Sequence, residues 1–507
     1  MNDFPPGAPD VRRADRPELE RSMSAFSNFA ISMATICILA GGIASFHVGF
    51  CSVGGAAIGL GWPLCCLFSL VVALTMAQVA SAFPLAGGPY QWASILGGRG
   101  WGWITACFNL AGLVTVLAAI NVGVGRFVIS AMSRTLEFDP ESVHPAVQAS
   151  AVVVMTASQA LINHRGIRLT SWLTDLSGNL IIVVAVVLTL ALIAFGVVWG
   201  HGFDPGRLVA FTNNSGAAGR DVWPATSNIG WLFLLGLLLP AFTVTGFDAS
   251  AQTAEETVDA ARNVPRGIVR AVLASGVAGW IMLAAVVLAA PDTIEAAAQG
   301  EQSFFWIIRA VVPQPLRTIL YVGIIAAQYL CGLATMTAAS RSAFAFARDG
   351  GLPLSRLLAT ISPNTHAPAA AIWSVALAAL AFALLVPYTA VAAVCAILLY
   401  ISYVLPTTMG LLAYGRSWTR MGPWHIGRWY RPLAVLAVLG CSTLIVIGMQ
   451  PPNEIALWLT LGVVVALGSL WFGYMHRHFA GPPPAVLHLL QPATPAEHAD
   501  LVKRGVE

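Results

Sequence analysis

The chain alternates between long stretches without Asp, Glu, Lys or Arg and short segments where those residues cluster. About 20 apolar residues carry a helix across the hydrocarbon core of a bilayer. Eight uncharged stretches suit one crossing each: 100–125, 142–164, 176–203, 222–247, 271–291, 318–340, 432–453 and 455–476. Two longer ones, 22–98 and 357–415, have room for two crossings apiece. The pattern predicts an all-α integral membrane protein with 12 transmembrane helices. A further stretch, 478–496, is excluded as a span because Pro482, Pro483, Pro484, Pro492 and Pro495 interrupt it. The expected layout is an N-terminal tail over 1–24 and five-helix sets over 25–200 and 229–415. Two further helices over 432–476 and a Pro-rich tail over 477–507 complete it.

Composition agrees with that pattern and removes other classes. Of the 507 residues, 57% are apolar and 10% charged, and the mean hydropathy is +0.76. An ordinary soluble domain is roughly a quarter charged. So few charges cannot coat a water-facing globule, which excludes a soluble enzyme and a disordered scaffold. A net charge of +3 leaves no basic face for nucleic acid once the arginines are placed in loops. Cys37, Cys65, Cys66, Cys107, Cys331, Cys395 and Cys441 lie in apolar runs and Cys51 near a helix end, with no CxxC pair. No catalytic centre, metal site or cofactor is expected. Residues 1–21 are charged and Pro-rich, unlike a signal peptide.

Twelve spans place both termini on one side. With the N-terminus inside, 20 Arg and Lys fall in inside segments and 6 outside (Arg126, Arg134, Arg207, Arg220, Arg309 and Arg317). Positive charge favours the cytoplasmic side. The expectation is a multi-pass protein of the plasma (inner) membrane with both termini cytoplasmic.

Interruptions of the apolar runs are the informative places. The first span carries Ala40-Gly41-Gly42-Ile43-Ala44-Ser45, and the sixth carries Pro240 and then Thr243-Val244-Thr245-Gly246-Phe247-Asp248. Glycine pairs weaken a helix and proline removes a ladder bond. Backbone groups freed at membrane depth are tolerated where they line a cavity. Such glycines also serve close helix packing. Position argues for a site, because the two breaks open two successive five-helix sets, as in an inverted-repeat transporter. There, half-helix N–H groups hold an anion and unwound carbonyls hold a cation, a match for a zwitterion.

Asp248 is the one acid expected well inside a span. Its charge at that depth is costly, so it should face water, be paired or bind a proton. It equally suits the first turn of a second half-helix, stabilising the dipole. Asn109, Thr115 and Asn121 of the third span, and Tyr400, Ser402 and Tyr403 of the tenth, could line a path or bond between helices. Trp62, Trp92, Trp101 and Trp103 are expected as interfacial anchors, with Asp175 and Arg126 also interfacial.

These motifs carry a resemblance. Phe83 to Trp92 (FPLAGGPYQW) resembles the signature after the second helix of the amino acid–polyamine–organocation superfamily. Thr245 to Glu256, with Arg262 to Arg266, is similar to its helix 6–7 motif. Ala338 to Pro353 resembles the helix 8–9 loop of its amino-acid/choline transporter subgroup, and Asn163 to Leu169 that subgroup's entry to helix 5. The resemblance spans about residues 25–415 and implies a leucine-transporter-like fold, two inverted five-helix repeats plus two helices.

It also implies that amides of Gly41, Gly42 and Ile43 hold a substrate carboxylate. Carbonyls of Ile38, Phe242 and Thr245 would hold the amino group beside Gly246, with Phe242 or Phe247 as an aromatic gate. Two departures stand out. Ala40-Gly41-Gly42 lacks the serine of Gly-Ser-Gly, and Ile181 occupies the place of a helix-5 lysine found in some proton-coupled relatives.

The leading expectation is a secondary transporter importing an amino acid or related amine by alternating access. It would couple to protons through Asp248, with no ATP-binding loop in the chain. The alternatives are a sodium-coupled or exchange transporter for choline, γ-aminobutyrate or polyamine, and a non-transporting sensor. A sodium site would draw on Thr335, Thr337 and Ser340.

Overall fold

The computed structural model describes residues 21–132, 142–198, 203–386 and 388–481. The tail charges Arg12, Arg13, Arg16, Lys503 and Arg504, and the proline run from Pro482, lie outside them, as does Arg134.

Among the described residues, ten helices are long and apolar enough to cross a membrane, and two shorter apolar helices complete the expected order. They are α1 (Ala25–Ala44), α2 (Ala57–Ala82), α3 (Arg99–Met132), α4 (Pro145–His164), α5 (Ile167–Val198) and α6 (Ile229–Thr243). They continue as α7 (Ala260–Ala289), α8 (Gln314–Arg348), α9 (Ala369–Leu385), α10 (Tyr388–Ala413), α11 (Tyr430–Gly448) and α12 (Glu454–Leu470). Their starts follow local chemistry: the side chains of Ser24 and Asn228 accept the Ser27 and Trp231 amides at the heads of α1 and α6. Pro63, which has no amide hydrogen to donate, stands where α2 passes from a π-helical turn over Ala57–Gly61 into regular α-helix over Trp62–Ala82.

The bundle is built around α1 and α8. Helix α1 packs on α5, α7 and α8, and α3 packs on both α8 and α10. At 34 and 35 residues, α3 and α8 are about 50 Å long, more than the hydrocarbon needs, so they cross obliquely or project beyond it. Their interior faces are small and polar, with Asn121 bonded to Thr156 and Gln159 across to α4. Thr115 instead donates to carbonyls of its own helix. By contrast, α5 and α12 turn large apolar side chains outward, among them Val183, Leu190, Trp458 and Val465. In a protein that spans a bilayer, that surface faces lipid.

Two expectations change. Trp62, Trp92 and Trp103 are core residues rather than interfacial anchors, and only Trp101 is exposed. Their indoles donate to the carbonyls of Gly276, Phe83 and Gly351, so the ring's one polar group is satisfied inside the protein. Arg341, counted among the loop charges, lies within α8 and is completely buried.

Candidate functional site

Helix α1 is broken, but slightly earlier than the glycines suggest. Its first half ends at Ile36, and Cys37 takes a left-handed conformation (φ 35°) rare for a residue with a side chain. Residues 37–40 form turns, and helix resumes over Gly41–Ala44. Helix α6 ends at Thr243, passes through Gly246 at φ 80°, and resumes over Ala249–Gln252. The two breaks touch: a Cβ on Gly41 would lie 2.9 Å from Thr243 Cα, and one on Gly246 2.5 Å from Thr35 Cγ2. Both positions need glycine, the second also for its backbone angle. A Cβ on Gly42 would meet only ordinary contacts with Leu283 and Trp62.

A small cavity of about 30 Å³ lies at this junction, lined by Thr35, Gly41, Phe242, Thr245, Gln328 and Cys331 among others. A vestibule of about 850 Å³ adjoins it, and Ala44, Gly123 and Phe242 line both spaces. The vestibule wall includes Ile43, His47, Tyr400 and, near the end of α3, Arg126, which pairs with Glu301 at 2.9 Å. That end of α3 is opposite Arg99, whose guanidinium reaches the Phe479 carbonyl near the end of the described chain.

The far side is closed by the sequence motifs themselves. Glu256 forms a two-pronged pair with Arg341, both at most 1% exposed. Glu255 pairs likewise with Arg348 at 2.9 and 3.0 Å. The next residue, Asp349, accepts from the Tyr90 hydroxyl and the Gln91 amide of the FPLAGGPYQW segment. Burial holds the Asp349 carboxyl above its ordinary range, against the opposing pull of Arg348. Three separated motifs thus meet in one polar closure.

Asp248 sits fully buried where α6 resumes. It caps no backbone amide. Its carboxylate instead accepts from the Tyr403 hydroxyl (2.7 Å), the Asn109 amide (3.0 Å) and the Gln252 amide (3.1 Å), all neutral donors. Tyr403 Oη also accepts the Gly246 amide at 3.0 Å, so one hydroxyl joins the acid to the α6 break. Tyr403 and Asn109 are therefore as central as Asp248. The sequence offers only their polarity in apolar helices as a signal.

The other candidates divide. Gly41, Phe242 and Thr245 line the cavity, and Ile43 and Phe242 the vestibule. Phe247 is packed away against Tyr403, 4.9 Å between ring centres, which leaves Phe242 as the aromatic at the boundary. The amides of Gly41 and Gly42 donate to Cys37 and Ile38 carbonyls, so the Ile38 carbonyl is engaged within α1. The Phe242 carbonyl accepts the Thr245 hydroxyl. On α8, the hydroxyls of Thr335 and Ser340 donate to carbonyls of their own helix, and that of Thr337 lies between the Leu333 carbonyl (2.9 Å) and Asn163 Oδ1 (2.8 Å). Ser340 Oγ also accepts from Arg341 at 3.1 Å, which puts a cation beside it.

Comparison with known proteins places this geometry. A family model described as amino acid permease matches residues 23–471. The chain is similar to the amino-acid permease BAT1 of Arabidopsis thaliana, 28% identical over 93% of this chain and 95% of that protein. It is 26% identical to the GABA-specific permease of Saccharomyces cerevisiae, over 92% of this chain and 83% of that protein. A putative polyamine transporter of Candida albicans is also 26% identical, over 92% of this chain and 87% of its own.

Proposed function

Since the chain belongs to the amino acid permease family, a family of membrane transporters and not of enzymes, we propose that it imports an amino acid by proton-coupled alternating access. The carrying observation is asymmetry about the two breaks. The junction of α1 and α6 opens through the vestibule on one side and is shut by Glu255, Glu256, Arg341 and Arg348 on the other. A carrier that exposes its site to one side at a time has this form in one of its two states. The site proposed is the set Ile38, Gly41, Gly42, Ile43, Phe242, Thr245, Gly246 and Phe247. Gly41, Ile43, Phe242 and Thr245 are nearest the substrate, and the rest hold the breaks in shape. The two halves over 25–200 and 229–415 would move against each other, in a plasma or inner membrane with cytoplasmic termini.

Asp248 is the proposed coupling group. Its three hydrogen-bond donors are neutral, and among the described residues no cationic side chain is bonded to it, which leaves the carboxyl free to exchange a proton in the cycle. A protonated Asp248 becomes a donor itself and must reorganise its bond with Tyr403, and with it the Gly246 contact. Sodium at Thr335, Thr337 and Ser340 is the competing reading, and the Arg341 charge beside Ser340 weighs against it. Proteoliposomes separate the two. Proton coupling requires uptake driven by an inward pH gradient without sodium, with Asp248→Asn losing that response while retaining substrate exchange. Uptake that follows a sodium gradient and ignores pH would overturn the assignment.

A further inference from the structure

Gln328 of α8 has a partner for one end of its amide and none for the other. Its Nε2 donates to the Leu39 carbonyl in the turn that breaks α1, at 3.0 Å. Because a carbonyl can only accept, that contact fixes which amide atom is which. The Oε1 is then committed to the opposite direction. It is buried, has no hydrogen-bond partner, and belongs to a residue that lines the small cavity at the helix junction. Buried carbonyl oxygens in native proteins are nearly always paired, so an unpaired one beside a cavity marks a place for a ligand donor.

The rest of the lining narrows the donor. Thr35 and Thr245 direct their hydroxyl hydrogens to the backbone carbonyls of Ile31 and Phe242. The Ile38 and Phe242 carbonyls, expected to hold an ammonium, already accept protein donors. Among the described residues no acid or base lines the cavity, and Phe242 is the one aromatic residue on its wall. A quaternary ammonium is held by several aromatic faces, which are absent here. The cavity itself offers a dication no counter-charge; the vestibule acid Glu301 is already paired with Arg126.

We infer that Gln328 is a specificity residue: its Oε1 accepts an N–H from the substrate's ammonium group. The site therefore takes zwitterions bearing a primary amine and refuses quaternary ammonium compounds and diamines. This rests on the transport reading above and deepens it. The choice is made by hydrogen-bond donors, because each N-methylation keeps the positive charge while replacing one N–H, and the trimethyl derivative has none left. A site built to hydrogen-bond a substrate group discriminates strongly against an analogue without it.

The test uses the purified full-length protein in proteoliposomes. Alanine and γ-aminobutyrate are first compared as labelled substrates. The better one then competes against its N-methyl and N,N,N-trimethyl derivatives, choline and putrescine. In the wild type the trimethyl compound should compete at least about tenfold more weakly than the parent, the range of one hydrogen bond to a charged group. Gln328→Met, similar in volume, should shrink that gap to within about threefold. Gln328→Glu should raise competition by putrescine relative to the zwitterion. If Gln328→Met weakens parent and trimethyl compounds equally, Gln328 serves only to tether Leu39 and the inference is wrong. Equal competition by the parent and trimethyl compounds in the wild type overturns it without any variant. Wild-type transport of choline in preference to both amino acids also overturns it, with transport itself intact. Uptake of none of these compounds would instead bring down the transport reading and the inference together.

Discussion

At the scale of single residues, the neighbouring glycines of α1 have different duties. Gly41 faces Thr243 of α6 with no room for a Cβ, whereas Gly42 faces Leu283 and Trp62 at ordinary contact distance. Gly41→Ala should therefore cut uptake at least tenfold at normal membrane abundance, and Gly42→Ala should stay near wild type. Gly246→Ala should behave like Gly41→Ala. It adds about 1–2 kcal/mol of left-handed backbone strain to a steric clash with Thr35. Radiolabelled uptake normalised to surface protein checks all three. Tyr403 calls for a separate variant, since its hydroxyl holds both Asp248 and the Gly246 amide. Tyr403→Phe should blunt the response to a pH gradient while leaving the protein folded. A full gradient response in that variant would remove Tyr403 from the coupling path.

At the scale of elements, the closure between the α6 continuation and α8 depends on charges withdrawn from water. Breaking a buried ion pair by removing one partner strands the other and costs about 3–5 kcal/mol. Glu256→Gln and Arg341→Met should each lower the melting temperature of the detergent-purified protein markedly. The double variant should recover part of the loss, giving a positive coupling in the cycle. Additive losses would mean the pair is not energetically joined. Asp349 adds a pH dependence. Because burial raises its carboxyl in the folded protein, the folded state holds that proton more tightly than the unfolded chain does. Its contribution is fully present below the ordinary aspartate value of about 4 and is lost as pH rises through the raised value. Asp349→Asn should flatten the fall in melting temperature across that interval. A variant with the same slope as wild type would show that another group controls it.

For the whole molecule, the vestibule and the motif closure lie at opposite ends of α3, so orientation in the membrane decides which end meets substrate first. From the arginine distribution along the chain we propose that the closure faces inside. Asp221, exposed at the vestibule, and Arg356, exposed beyond α8, probe the two ends. In intact cells an impermeant thiol reagent should label Asp221→Cys and spare Arg356→Cys, with the wild type as background. The reverse pattern would invert the topology and make the closure an outer gate.

The number and order of spans were legible in the chain because lipid imposes one coarse rule: about 20 apolar residues per crossing, with charges between. The breaks were legible because few residue types interrupt such a run without cause. Tertiary structure decided what those residues face. It moved the α1 break to Cys37, buried three tryptophans expected at the interface, and took Arg341 from a loop into a buried pair with Glu256. It also gathered Asn109, Gln252 and Tyr403 around Asp248, and left one oxygen of Gln328 without a partner. Those contacts join residues separated by up to 289 positions, as between Gln328 and Leu39. Hydropathy is a property of each residue alone and records depth in the membrane. Direction and partnership arise only when helices far apart in the chain pack together.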